Sequence, residues 1–262
     1  MHNPVGDQGF QLLRNNTNEV EVLTGGIFRC LVNSMSLNVK GSSTLFDVGC
    51  GDFSFATVLE KRLVRRQVLM GYIGIDLVKL HHQQERPQTN FGFGRFEYCK
   101  NGFTMEIIEK TIDSGVHCFL FCHSLGAVVS SYKHNTDEIG SLLKRLSSKN
   151  QVIVVLGSES SSEIQSRKFL RKKFNAVLSP ILTTESLLRI LKKWSITYST
   201  LHVRIHFTTP IKQLSNSELV LIGKFLFHQE IEASRVHIKN SDILNEVKKV
   251  WSTGFKQTIV ML

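Results

Sequence analysis

The chain has 262 residues, of which 42% are hydrophobic, and its 32 Lys and Arg against 22 Asp and Glu give a formal net charge of +10. That composition, with 4 prolines and no low-complexity tract or repeat, excludes a disordered, collagenous or solenoid chain and describes a folded protein able to bury one sizeable core. The longest apolar runs, at 116–122 and 152–156, fall far short of the ~20 residues a membrane helix needs, so no membrane partner is expected. The start MHNPVGDQGF lacks the basic and apolar regions of a signal peptide, which implies a cytoplasmic address. Cys30, Cys50, Cys99, Cys118 and Cys122 form an odd set without a C-x-x-C pair, so neither a disulfide framework nor a metal site is expected.

In chain order, residues 1–40 fit one or two helices. Short apolar runs then read as strands at 44–48, 72–76, 94–99, 116–122 and 151–156. Amphipathic segments separate them, and this alternation is the pattern of a parallel sheet covered on both faces by helices. Helical spacing is clearest at 53–63 and at 137–146, where Ile139, Leu142, Leu143 and Leu146 share one face. After Leu156 a polar loop passes into the basic helix RKFLRKKF, and TTESLLRILKKW opens with Thr184 placed as an N-cap. Two β-rich segments, 195–207 and 254–262, are separated by helical patterns at 217–227 and 241–251. The expectation is one α/β domain over 1–262: an N-terminal helical segment (1–40), a cofactor-binding core (41–207), a helical substrate cap (208–250) and a terminal strand (254–262).

The chemistry concentrates at LFDVGCGDFSF, a strand running into glycines and then a helix. Gly49 and Gly51 permit a tight turn and close approach of a ligand, and the following helix aims its free N–H groups at that place. Asp47 before the glycines repels phosphate and can receive an ammonium. In GIDLV, Asp76 ends the second strand, where a carboxylate can accept hydrogen bonds from both ribose hydroxyls of a nucleoside.

These residues resemble the class I S-adenosylmethionine-dependent methyltransferases, whose first motif is a D/E-x-G-x-G-x-G loop and whose second strand ends in an acid. Asp47, Gly49, Gly51 and Asp76 match; the third glycine is replaced by Phe53. More narrowly the chain is similar to the histamine N-methyltransferase-like small-molecule methyltransferases, through FEYCKN, VIVVLGSES, the RKKF helix and LTTESLLRILKKW. The resemblance implies a Rossmann-like seven-stranded sheet, S-adenosyl-L-methionine as cofactor, and a small-molecule acceptor methylated on an amine nitrogen. It places Cys99, Asn101 and His123 with the cofactor and a substrate carboxylate in the N-terminal helical segment, at Glu19 or, one residue away, Asn18.

FLFCHSLGAVVSS competes with that reading, because HSLGA looks like a hydrolase nucleophile elbow with Ser124 as nucleophile. Cys122 stands in place of the elbow's first glycine, and the run falls where the methyltransferase pattern has its fourth strand end beside the transferred methyl. There His123 can act as the base that takes the amine's proton. The basic stretches at 61–66 and 167–174 keep an RNA methyltransferase as the alternative. A non-catalytic methyltransferase-fold binding protein is a further one. The sequence leaves the acceptor, the number of methyl groups added and the oligomeric state open.

Overall fold

The computed structural model describes residues 4–35, 44–51, 54–66, 71–75, 95–96, 117–125, 136–178, 180–234 and 236–262. Phe53, Asp76, Cys99 and Asn101 therefore lie outside the described residues. Seven strands form one sheet: β1 (Thr44–Val48), β2 (Gly71–Ile75), β3 (Arg95–Phe96), β4 (His117–Cys122), β5 (Gln151–Gly157), β6 (Ser199–Ile205) and β7 (Phe255–Met261). Their order is β3-β2-β1-β4-β5-β7-β6. The pairs β1–β2, β1–β4, β2–β3 and β4–β5 are parallel. Strand β7 runs antiparallel to β5: Val152 and Leu262 exchange both backbone hydrogen bonds (3.2 and 2.9 Å), and Ser158 N–H donates to Lys256 O at 2.9 Å. This is the α/β sheet expected from the sequence, and β1 has the expected bounds.

The sequence explains why the central strands sit where they do. TLFDV, HCFLFC and QVIVVLG are nearly continuous apolar runs, as strands buried on both faces require. Phe119, Leu120, Phe121 and Val152 to Val155 are fully buried, and Phe46 stacks on Phe119 at 5.4 Å between ring centroids. Helix α1 (Pro4–Asn15) and helix α2 (Glu19–Met35) precede β1; α3 (Ser54–Arg65) links β1 to β2, and α4 (Thr136–Ser147) lies between β4 and β5. Because the chain moves outward from β1 and then returns to β4, right-handed crossovers put α3 and α4 on opposite faces.

The chain then continues through α5 (Ser162–Lys173), α6 (Thr184–Lys193), α7 (Asn216–Leu226), α8 (His228–Glu232) and α9 (Asn240–Thr253). Thr184 is not the N-cap expected from the sequence. It is the first helical residue of α6, and its hydroxyl donates to Leu156 O at 3.2 Å.

The fold divides into two compact units. One holds Leu23–Leu156, Thr184–Leu201 and Thr258–Leu262, with β1 to β4, α3, α4 and α6. The described cysteines are free thiols, and burial raises those of Cys30 and Cys118, which serve as small hydrophobes in this unit.

The other unit holds Met1–Val22, Gly157–Thr183 and His202–Gln257. In it α7 packs against both α1 and α9, with Phe10 and Phe225 in ring contact at 5.2 Å. Ser215 and Glu218 form a capping box that starts α7. The apolar face expected over Leu219, Leu221, Ile222, Phe225 and Phe227 is thus a helix–helix face, and Phe227, fully buried, belongs to the unit's core rather than to a pocket wall.

Candidate functional site

The site is built from the carboxyl ends of two adjacent strands. Strand order reverses between β1 and β4, and in open α/β sheets ligands bind in the crevice beyond such a switch point. Gly49 follows β1 and Ser124 follows β4. The two glycines of the turn do different work. Gly49 has φ +79, and a β-carbon placed on it would lie 2.6 Å from Ser124 Cβ, so both the backbone and the space exclude a side chain. Gly51 has φ +60, but a β-carbon there would meet no described atom within 4 Å.

Ser124 Oγ is buried and makes no hydrogen bond among the described residues. A buried hydroxyl without a partner is costly, which marks it as a group awaiting one. It is not bonded to any histidine, so the nucleophile–base contact of a hydrolase is not formed among the described residues. The strained position of the turn is His123 instead, with φ 61. A non-glycine residue held in this left-handed region is a feature enriched at functional turns. Its N–H donates to Val155 O at 3.2 Å and its side chain is exposed at the end of β4.

Asp47 lies in β1 with 2% of its surface exposed, and the Tyr72 hydroxyl donates to its Oδ2 at 2.6 Å. The structure thus brings together Asp47, Gly49, Gly51, His123 and Ser124 within one unit.

Glu19 opens α2 in the other unit, and its site is held in place by pairing of the 16–18 segment with 206–208. Asn18 N–H donates to His206 O at 3.1 Å, His206 N–H donates to Asn18 Oδ1 at 2.7 Å, and Thr208 N–H donates to Asn16 O at 2.8 Å. Asn18 is therefore engaged with the main chain, while the half-buried Glu19 carboxylate accepts from Gln257 Nε2 at 3.4 Å. Gln257 is buried, and its Oε1 has no partner among the described residues. The sequence reading missed Gln257; its signal was a polar residue inside the apolar run of β7.

The basic helix α5 turns inward. Arg167 Nε and Arg171 Nε donate to the fully buried Glu230 at 3.1 and 2.7 Å, and Lys173 pairs with Asp242 at 2.7 Å. Arg62 of the other basic stretch donates to Thr24 Oγ1 at 3.3 Å. Among the described residues no group of His, Cys, Asp and Glu could hold a metal ion, and no helix is long and apolar enough to cross a membrane.

No protein-family model matches the chain, and no curated protein matches it in sequence. Among solved structures it is similar to a geranyl diphosphate methyltransferase in complex with GPP and sinefungin, at 10% identity over 86% of this chain and 73% of that one, with a TM-score of 0.36. It is also similar to the magnesium protoporphyrin IX methyltransferase of Synechocystis PCC 6803 with bound SAH, at 10% identity over 91% and 80%, TM-score 0.42. A third is a plantazolicin methyltransferase in complex with a triazolic desmethylPZN analog and SAH, at 13% identity over 91% and 83%, TM-score 0.39.

Proposed function

We propose that the chain is an S-adenosylmethionine-dependent methyltransferase that methylates an amine nitrogen of a small molecule. The observation that carries this reading is the turn at the switch point, where Gly49 and Gly51 both take positive φ and Gly49 packs against Ser124, whose hydroxyl has no partner among the described residues. Those residues fit the cofactor: a close-approach turn, a helix N-terminus, an acid in β1 and a hydroxyl lacking a partner.

When bound, the cofactor supplies an electrophilic methyl on a sulfonium, and the transfer is an in-line displacement. The protein's share is to hold the parts. Gly49 and Gly51 admit the ligand's methionyl end to the backbone, Asp47 receives its ammonium, and Asp76 accepts from the ribose hydroxyls, with Cys99 and Asn101 on the adenosine side. Glu19, which accepts from Gln257 within its own unit, is a second candidate for an amine-binding group. His123 takes the acceptor amine's proton, directly or through water, so that a neutral lone pair faces the methyl. Segment 208–250 is the proposed substrate cap, and within its own unit α1 packs on its helix α7.

An RNA acceptor has less support, because Arg167, Arg171 and Lys173 of α5 are engaged with acids of the chain itself. The test is transfer of label from S-adenosylmethionine to small amines, RNA and protein extracts. Labelling of a small amine is expected; labelling of RNA or protein alone would overturn the acceptor class.

A further inference from the structure

Tyr72 and Asp47 are both buried, on neighbouring strands, and joined by a 2.6 Å bond from phenol to carboxylate. The register pairs Tyr72 with Leu45 and Gly74 with Asp47. Gly74 carries no side chain opposite Asp47, which leaves room for the phenol to reach along the strand direction. The length lies at the short end of the O–H···O range. Leu120 stands opposite Asp47 in β4, whereas the side chains of Phe46 and Val48, one residue away along β1, point to the other face of the sheet.

We propose that Tyr72 is a positioning residue that holds the Asp47 carboxyl in a single orientation, and so sets the affinity of the turn for the ammonium of the cofactor's amino-acid end. This rests on the function proposed above. An aliphatic residue in place of Tyr72 would complete the strand's apolar pattern equally well, so the hydroxyl is the part to be explained.

The test compares two ligands in titration calorimetry: S-adenosylhomocysteine, which carries the ammonium, and 5′-methylthioadenosine, which lacks it. Tyr72→Phe removes only the hydroxyl. It is expected to weaken S-adenosylhomocysteine about tenfold or more while leaving methylthioadenosine unchanged. Asp47→Asn should show the same ligand selectivity and absorb the effect of Tyr72→Phe in the double variant. It also provides the reading if Tyr72→Phe does not fold. Equal loss of both ligands, no loss of either, or additive effects in the double variant would overturn the role of Tyr72 and leave the methyltransferase standing. Wild-type protein that binds neither ligand would overturn both.

Discussion

Ser124 occupies the space that a side chain on Gly49 would need: an ideal β-carbon on Gly49 falls 2.6 Å from Ser124 Cβ. The turn after β1 and the end of β4 are thereby fitted to each other without a ligand. Gly49→Ala should therefore suffer twice, from about 1–2 kcal/mol of left-handed backbone strain and a further ~1–3 kcal/mol of overpacking. Gly51→Ala carries only the first of these, since no described atom lies within 4 Å of its added carbon. Thermal melts should rank Gly49→Ala well below Gly51→Ala. In titration with S-adenosylhomocysteine, Gly51→Ala should lose affinity out of proportion to its small loss of stability, because on the proposed function the added methyl meets the ligand at the turn.

Ser124→Ala should leave stability unchanged or slightly raised, because it removes a buried hydroxyl that has no partner among the described residues. Ligand affinity should fall. Covalent labelling of Ser124 by a fluorophosphonate probe would contradict this and return the hydrolase reading of HSLGA.

Glu230, fully buried between Arg167 and Arg171, ties α8 to α5. Glu230→Ala would remove the buried carboxylate to which both Arg167 and Arg171 donate, leaving Arg167 with Glu163 at 3.8 Å, and urea unfolding should register a loss of about 3 kcal/mol. A loss below 1 kcal/mol would mean that solvent already carries those charges.

Helix α7 carries a titratable lock. The Ser215 backbone N–H and hydroxyl both donate to Glu218 and hold its carboxyl below its ordinary value of 4.5. A lowered folded value means that the contribution is complete above the ordinary value and is lost as pH falls through the folded one. The stability difference between wild type and Glu218→Gln should thus be constant near neutrality and shrink below pH 4.5. A difference independent of pH would show that the ionised carboxylate does not hold the cap.

What the sequence made legible was local. The run TLFDV, the period of 137–146 and the turn signal of GCG depend on neighbours in the chain, and each appears in the structure where its pattern put it. The pairings across the chain were not legible. Arg167 and Arg171 look like the solvated face of a basic helix until the fold brings Glu230, some 60 residues later, beneath them. Tyr72 reads as an aromatic β-former, and nothing in GYIGI announces a bond to a carboxylate 25 positions earlier. Phe227 has the spacing of a helical face, but spacing does not say whether that face meets a ligand or, as here, the helical core.

The most direct test of the central claim is titration calorimetry of the wild-type chain with S-adenosylhomocysteine, beside Asp76→Ala. The account predicts saturable binding at one site, weakened in Asp76→Ala by about 1.5–3 kcal/mol through loss of a charge-assisted partner of the ribose. Absence of binding by the wild-type protein, or identical affinity in both proteins, would contradict it.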